Sequence, residues 1–239
     1  MRCPTKATTT ATKRSKVTKI SFSNDEFVPF AIVVFFVFGL SALAAAAVVD
    51  PELVVIIRTY DASAAAGDLT LAEAAATAIL EDTGISVTWV RCDGVSVRRD
   101  ENPCLAPLAA HELAIRFVRL PAHLAEQDLV TLGDSLVDTR LRAGSLATIY
   151  VNRVAALAGR CRIDVRTLLG RAVAHEIGHL LLGTSAHASS GLMRAVWPQH
   201  ALRRERPETW TFTADDAQAI RDAVRVRTAR RLAAARLGD

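Results

Sequence analysis

Residues 175–179 read His-Glu-Ile-Gly-His, and this pentad carries more chemical information than any other short stretch of the chain. Residues four apart lie about 40° from each other around a helix, so His175 and His179 can direct two imidazoles at one metal ion. Glu176 lies one position around the helix, where it can take a proton from a water molecule on that ion. Neutral imidazoles suit Zn²⁺, and zinc lowers the pKa of a bound water to about 7. The pentad therefore predicts a hydrolytic zinc site.

The residues around the pentad predict the helix that must position it. Apolar residues recur every three or four positions from Leu168 to Leu181, which is the periodicity of a helix with one face in the core. Gly183 follows the last leucines and is predicted to cap the helix. Histidines on a buried helix face are costly unless something pairs them, so this context favours a metal site over a surface helix that merely carries two histidines.

The loop after the helix contains the residues that a catalytic zinc site would still need, namely a third protein ligand beside an open position. Downstream of Gly183 stand His187 and then Gly-Leu-Met at 191–193. Together with the pentad, this order resembles the metzincin metalloproteases. In that family a glycine ends the helix, a third histidine follows, and a tight turn places a methionine beneath the zinc.

The resemblance implies a complete set of site residues for one catalytic Zn²⁺: His175, His179 and His187 as ligands, Glu176 as general base, and Met193 as the hydrophobic floor. The glycine and the third histidine lie four and eight residues after His179, whereas the family pattern has them three and six residues after it. The resemblance is therefore to a matrixin-like branch with a lengthened ligand loop. The rival third ligand is a carboxylate, as in the thermolysin-like gluzincins. Glu205 and Glu208 lie far enough along, but in a charged stretch broken by proline that is typical of a loop.

The first 49 residues are predicted to be a leader. Residues 1–26 hold six basic residues and two acidic ones, and residues 27–49 hold no charge. Twenty-three uncharged residues can cross a bilayer, which needs about 20. The small residues 45–47 suit cleavage of a signal peptide, whereas the length favours an uncleaved anchor, because the apolar cores of signal peptides have about 7–15 residues. On either interpretation the rest of the chain is expected outside the cytoplasm, secreted or anchored to the membrane by residues 27–49.

The leader also accounts for the basic character of the chain, which has a formal net charge of +4 and a pI near 9.1. Of 29 basic and 25 acidic residues, the leader holds six and two, so 23 of each remain. The exported part is formally neutral, which gives no support to a nucleic-acid partner. A polypeptide substrate is the predicted partner.

Cysteine usage agrees with export. Cys92 and Cys104 flank a short charged loop between two predicted strands, and in an oxidising compartment they are expected to form a disulfide worth about 3 kcal/mol. Cys3 lies in the leader. Cys161 is left over and is expected to be buried and free.

Residues 50–239 are predicted to form a single zinc metallopeptidase domain, with an N-terminal subdomain at about 50–183 and a C-terminal one at about 184–239. Alternating and β-rich runs predict strands at 52–60, 85–92, 112–120 and 146–152, and helical patterns cover 69–80 and, after an N-cap at Thr213, 214–227. This order resembles the zincin fold. The resemblance implies an α+β architecture, with a mixed twisted sheet, a backing helix, the active-site helix and a small C-terminal helical subdomain, preceded by the N-terminal hydrophobic helix. In such folds an edge strand beside the cleft pairs with extended substrate, and 133–149 is the candidate region.

These features predict an exported zinc-dependent endopeptidase. The alternative from another class is a zinc-stabilised, non-catalytic binding module at the membrane surface, and a third possibility is a chain that binds no metal. A purely structural zinc site has no need of Glu176, so the glutamate in the pentad favours the enzyme.

Overall fold

The computed structural model describes residues 53–60, 67–93, 103–127, 131–203 and 209–237. The predicted leader, including the hydrophobic segment at 27–49, lies outside these ranges, as do the alternative ligands Glu205 and Glu208. Among the described residues, no helix combines the length and the apolar character that a membrane span requires.

The described residues form five strands and six helices, together with a short 3₁₀ turn at Pro103–Leu105. The strands are β1 Val54–Tyr60, β2 Ser86–Arg91, β3 Glu112–Val118, β4 Gly133–Asp138 and β5 Ala143–Tyr150. The helices are α1 Leu69–Glu81, α2 Ala122–Gln127, α3 Val151–Cys161, α4 Val165–Leu182, α5 Gln199–Leu202 and α6 Ala214–Leu237.

The strands form one mixed sheet in the order β2-β1-β3-β5-β4. Neighbours among β2, β1, β3 and β5 pair in parallel, whereas β4 pairs with β5 in the antiparallel direction and forms one edge of the sheet. The register between β4 and β5 shifts between Leu136 and Val137, which marks a bulge. The predicted mixed sheet is confirmed, and within the candidate region 133–149 the edge strand is β4.

Helices α1 and α4 pack against the sheet, and the most deeply buried large side chains of a strand recur at every second residue. In β3 the fully or nearly fully buried residues are Leu113, Ile115 and Phe117, and they belong to the same apolar core as α1 and α4. Helices α1 and α4 pack closely against each other, and α4 also packs against β4 and β5. The predicted active-site helix is therefore fixed to the edge of the sheet along much of its length.

The sheet also buries an ion pair. Arg58 of β1 donates from Nε to Glu112 Oε1 of β3 at 3.1 Å, and its Nη2 donates to Glu112 Oε2. Glu112 accepts a further bond from the Ala109 N–H at 2.8 Å, and Arg58 Nη1 donates to the Ala106 carbonyl at 2.9 Å. Both side chains are at least nine-tenths buried, so each charge depends on the other for compensation.

The ends of α4 are set by its sequence. The Asp164 carboxylate accepts from the backbone N–H groups of Arg166 and Thr167, which gives partners to two of the unpaired donors in the first turn. Gly183 ends the helix with φ at 63°, as predicted, and a Cβ there would overlap the backbone of Arg142 in the β4–β5 turn. Only glycine fits both the conformation and the space at this end.

The structure confirms the four strands that the sequence predicts, with changes at their ends. The strand predicted at 146–152 ends at Tyr150, because Val151 begins helix α3.

Cys92 and Cys104 form the expected disulfide, with a Cα–Cα distance of 5.4 Å. The expectation of a free Cys161 is wrong, since it is disulfide-bonded and no described cysteine is free. The N-cap at Thr213 is confirmed by the Asp216 N–H, which donates to the Thr213 hydroxyl at 3.1 Å.

Candidate metal centre

Three histidines meet at the C-terminal half of α4. Each of His175, His179 and His187 offers a ring nitrogen, and these nitrogens lie within 4.8 Å of one another. His175 and His179 are buried on the helix, whereas His187 is exposed on the following loop. The His187 ring centroid lies 4.8 Å from that of His179 and 5.4 Å from that of His175. The three side chains named by the sequence are therefore brought together, and they could hold a metal ion.

The hydrogen bonds of the two helical histidines fix which nitrogen faces the centre. His175 Nδ1 lies 2.9 Å from the Leu192 carbonyl, and His179 Nδ1 lies 2.8 Å from the Thr184 carbonyl. A carbonyl only accepts, so each Nδ1 carries a proton and each neutral ring has a bare lone pair at Nε2. The two Nε2 atoms lie 3.1 Å apart. Two lone pairs at that distance repel each other, and a cation between them would remove the repulsion.

The spacing of these nitrogens suits zinc. Zn–N bonds of about 2.0–2.1 Å in a tetrahedral arrangement place two ligand nitrogens about 3.3 Å apart. The Nε2–Nε2 distance of 3.1 Å between His175 and His179 is close to that value. The backbone carbonyls on the other ring nitrogens are the outer partners that orient metal-binding histidines.

Glu176 lies beside the histidines and is held by the edge strand. Its Oε2 accepts from the Ser135 hydroxyl at 2.6 Å, and the same hydroxyl lies 3.0 Å from the Glu176 carbonyl. A Cβ at Gly133 would come within 2.8 Å of Glu176 Cγ and 2.9 Å of Oε1. The bare backbone of β4 at Gly133 therefore makes room for the carboxylate. The sequence does not predict the contacts of Ser135 and Gly133 with Glu176, because nothing local links residues as far apart as Ser135 and Glu176, which are separated by 41 positions.

Burial determines the protonation of the site. Burial lowers the pKa of His175 to about 4 and also lowers the pKa of His179, so both rings are neutral at pH 7. Burial raises the pKa of Glu176 to about 7; the Ser135 hydrogen bond acts against this shift, and the charge of Asp134 adds to it. The centre thus presents two neutral imidazoles and a carboxyl group able to exchange a proton near neutral pH.

Met193 lies under the metal-bearing helix. It is 2% exposed, and a Cβ at Gly178 would come within 2.7 Å of its sulfur and within 2.7 Å of the Phe212 ring. The turn that carries it begins at Gly191, which has φ at 70°. The Ala188 N–H donates to the Met193 carbonyl at 2.8 Å and ties this turn to the loop beyond His187. The methionine named by the sequence is thus packed against the pentad.

A cleft of about 180 Å³ opens beside His175 and His187. Its walls come from the start of β4 and from residues 194–197, and its apolar lining includes Leu132, Leu157 and Ala172. Glu176 lines its polar end together with His175 and His187. The groups that could do chemistry therefore face a space that another molecule can enter.

Comparisons with known proteins find likenesses among solved structures. No protein-family model matches the chain, and no curated protein matches it. Among solved structures, a zinc-dependent peptidase from Methanocorpusculum labreanum (strain Z) is similar over 69% of this chain and 99% of its own, with 18% sequence identity and a TM-score of 0.43. At that TM-score the likeness assigns neither a family nor an activity to this chain.

Proposed function

We propose that this chain is a zinc-dependent endopeptidase in which His175, His179 and His187 bind the metal and Glu176 is the general base. The observation that carries the proposal is the pair of neutral imidazoles whose bare Nε2 atoms face each other at 3.1 Å, next to a buried carboxyl group. A site that only stabilised the fold would not need that carboxyl group, which is costly to bury.

The donor set fits Zn²⁺ because it consists of neutral imidazoles, which borderline-soft divalent ions accept, and because three protein ligands leave a position open. When bound, the zinc supplies a Lewis acid for the scissile carbonyl and lowers the pKa of a water molecule. Assignment to a matrixin-like metzincin branch stays part of the proposal, as does His187 as the third ligand.

Glu176 moves the proton in this scheme. Its Oε2 is occupied by the Ser135 hydroxyl, so Oε1 is the atom left to accept a proton from the attacking water. Glu176 then passes that proton to the leaving amine nitrogen. Ser135 holds the carboxylate in one orientation, and Gly133 leaves space for Oε1. Met193 supports the helix turn that carries the pentad from the opposite side.

The substrate is proposed to be an extended polypeptide. β4 is an edge strand and lies next to Glu176, so the free backbone groups of β4 can pair with a peptide strand beside the cleft. Export is also proposed, on the basic leader with its uncharged segment at 27–49 and on the Cys92–Cys104 disulfide.

The test is Glu176→Gln in the full chain. Glutamine keeps the shape and an oxygen for the Ser135 hydroxyl but cannot take a proton, so zinc content should stay at one ion per chain while cleavage of an unfolded protein substrate falls at least 100-fold. Glu81→Gln, at an exposed helix carboxylate at the end of α1, is the matched control and should cleave like the wild type.

Other outcomes assign the site differently. Retained cleavage by the Glu176→Gln variant would overturn the mechanism. Stoichiometric zinc in a wild-type protein that cleaves nothing would favour the non-catalytic binding module. Unchanged zinc affinity in His187→Ala would remove His187 from the ligand set and favour a carboxylate ligand, Glu205 or Glu208.

A further inference from the structure

The cleft beside the histidines combines an apolar floor with one cation. Its volume of about 180 Å³ is close to that of apolar cavities of about 150 Å³ that hold a benzene ring. Leu132, Leu157 and Ala172 are buried in its floor. Among the described residues that line it, Arg194 and Glu176 are the charged ones. A ligand that fills this cleft therefore meets apolar surface and a guanidinium group.

The Arg194 guanidinium is hydrogen-bonded within the protein at one nitrogen, and its other two nitrogens can donate to a ligand. Its Nε donates to the Ser189 carbonyl at 3.0 Å, and its backbone pairs with Ala188, the residue after His187. In the part of the chain that the structure describes, no carboxylate or carbonyl accepts from its two Nη groups, and no ion pair joins it to Glu176. Four N–H donors of a planar fork are thus free to bind a ligand.

The free end of a fixed guanidinium selects a particular ligand chemistry. Carboxylates accept two parallel N–H bonds from arginine, and these charge-assisted bonds are about twice as strong as neutral ones. Glu176 has its Oε2 occupied by Ser135 and lies at the catalytic end of the cleft. The acceptor for Arg194 would therefore come from the bound substrate.

We propose that Arg194 is a specificity residue of the proposed peptidase and that it binds a substrate carboxylate next to an apolar side chain, within about two residues of the scissile bond. The inference rests on the proposed function. The carboxylate can be an Asp or Glu side chain or the free C-terminus of a peptide, and both present the same two oxygens to the guanidinium.

The experiment uses the zinc-loaded full chain and four peptides that share one apolar cleavage site. The first pair differs at one position beside that site, where one peptide has Glu and the other has Gln. The second pair ends two residues after the site, and one peptide has a free C-terminal carboxylate whereas the other has a C-terminal amide. In one of the two pairs, we expect the wild type to cleave the peptide with the carboxylate with a kcat/KM about tenfold higher than that of its neutral partner. Arg194→Gln should reduce that ratio to about one, and Arg194→Lys should keep part of it, because lysine keeps the charge without the fork.

Arg225→Gln removes an exposed arginine of α6 that pairs with Asp222, and it should leave the ratio as in the wild type. The Glu/Gln pair identifies a side-chain carboxylate as the ligand, and the acid/amide pair identifies a C-terminal one. A ratio unchanged by Arg194→Gln, or a wild-type ratio of about one in both pairs, would overturn the inference.

A binding measurement separates this inference from the peptidase proposal. Fluorescence anisotropy of the labelled peptides is measured with zinc-loaded Glu176→Gln protein, which leaves Arg194 in place. Selective binding of the carboxylate peptides that is lost when Arg194→Gln is added supports Arg194 even if the wild type cleaves nothing. Equal binding of all four peptides contradicts it even if the wild type is an active peptidase.

Discussion

Gly178, the fourth residue of the pentad, offers a test of how the metal-bearing helix is packed. A methyl group there would lie 2.7 Å from the Met193 sulfur and 2.7 Å from the Phe212 ring, whereas apolar atoms prefer separations of about 3.5–4.0 Å. Both neighbours are buried, so at least one of them must move. We expect this overpacking to cost about 1–3 kcal/mol.

The same substitution in an open helix position removes the contribution of helix propensity from the comparison. Replacing glycine by alanine inside a helix gains about 1 kcal/mol. A Cβ at Gly159 of α3 would have no atom within 4 Å. Gly159→Ala should therefore be more stable than the wild type. Gly178→Ala should be less stable than Gly159→Ala by the whole overpacking cost, about 1–3 kcal/mol.

The assay is urea unfolding of metal-free protein, followed by a zinc titration against a competing chelator. Displacing Met193 moves the neighbouring Leu192 carbonyl, which accepts from His175, so zinc affinity should fall about tenfold in Gly178→Ala. Adding Met193→Ala to the Gly178→Ala variant should recover part of the lost stability. The free energies of unfolding of the double and single variants should differ from additivity by at least about 0.5 kcal/mol. Equal stability of the two glycine variants would refute the packing argument.

Three further predictions concern stability. Asp164→Ala should cost about 1 kcal/mol through the lost cap of α4. Because the hydrogen bond from Arg166 lowers the pKa of Asp164, this stabilisation is present above the pKa of the unfolded chain and is lost as the pH falls through the lower pKa of the folded protein. Variant and wild type should therefore converge in acid, and a difference that persists there would contradict the prediction. Glu112→Gln leaves a buried guanidinium without its carboxylate and should cost about 3–5 kcal/mol in urea unfolding; a loss below about 1 kcal/mol would show that the pair is solvated. Replacing Cys92 and Cys104 by serine opens a loop with a sequence separation of 12 and should cost about 3 kcal/mol, measured in the same way.

The features that the sequence predicts best are those with local causes. The apolar period of α4, the glycine at its end and the four-residue spacing of His175 and His179 all act within a few turns of one helix. The cap of α6 at Thr213 is equally local. Helix α3 carries the same kind of signal, with Val151, Val154, Leu157 and Cys161 buried on one face, but a strand pattern that runs into its first turn concealed it.

The features that the sequence does not predict depend on distant residues. The region 133–149 is the predicted site of the edge strand, but the bounds of β4 within it are not predicted. β4 contains glycine and two aspartates, which disfavour strands, and it forms because β5 provides its hydrogen-bonding partners. Ser135 reaches Glu176 because β4 pairs with β5 and because α4 packs on the sheet. The buried pair of Arg58 and Glu112 likewise depends on the parallel register of β1 and β3. Its partners are 54 residues apart, so no window of sequence contains both.

The Leu192 carbonyl links a tryptophan, Trp197, to one of the metal-facing histidines. It lies 2.9 Å from His175 Nδ1 and also accepts the indole N–H of Trp197 at 3.0 Å. The centroid of the Trp197 ring lies 5.6 Å from that of the His175 ring and 5.2 Å from that of the Trp210 ring. The chain has three tryptophans, and the indole of the third, Trp89, is bonded to Thr77 of α1. A change in the hydrogen bonding of this metal-facing histidine should therefore alter the emission and near-ultraviolet dichroism that Trp197 contributes.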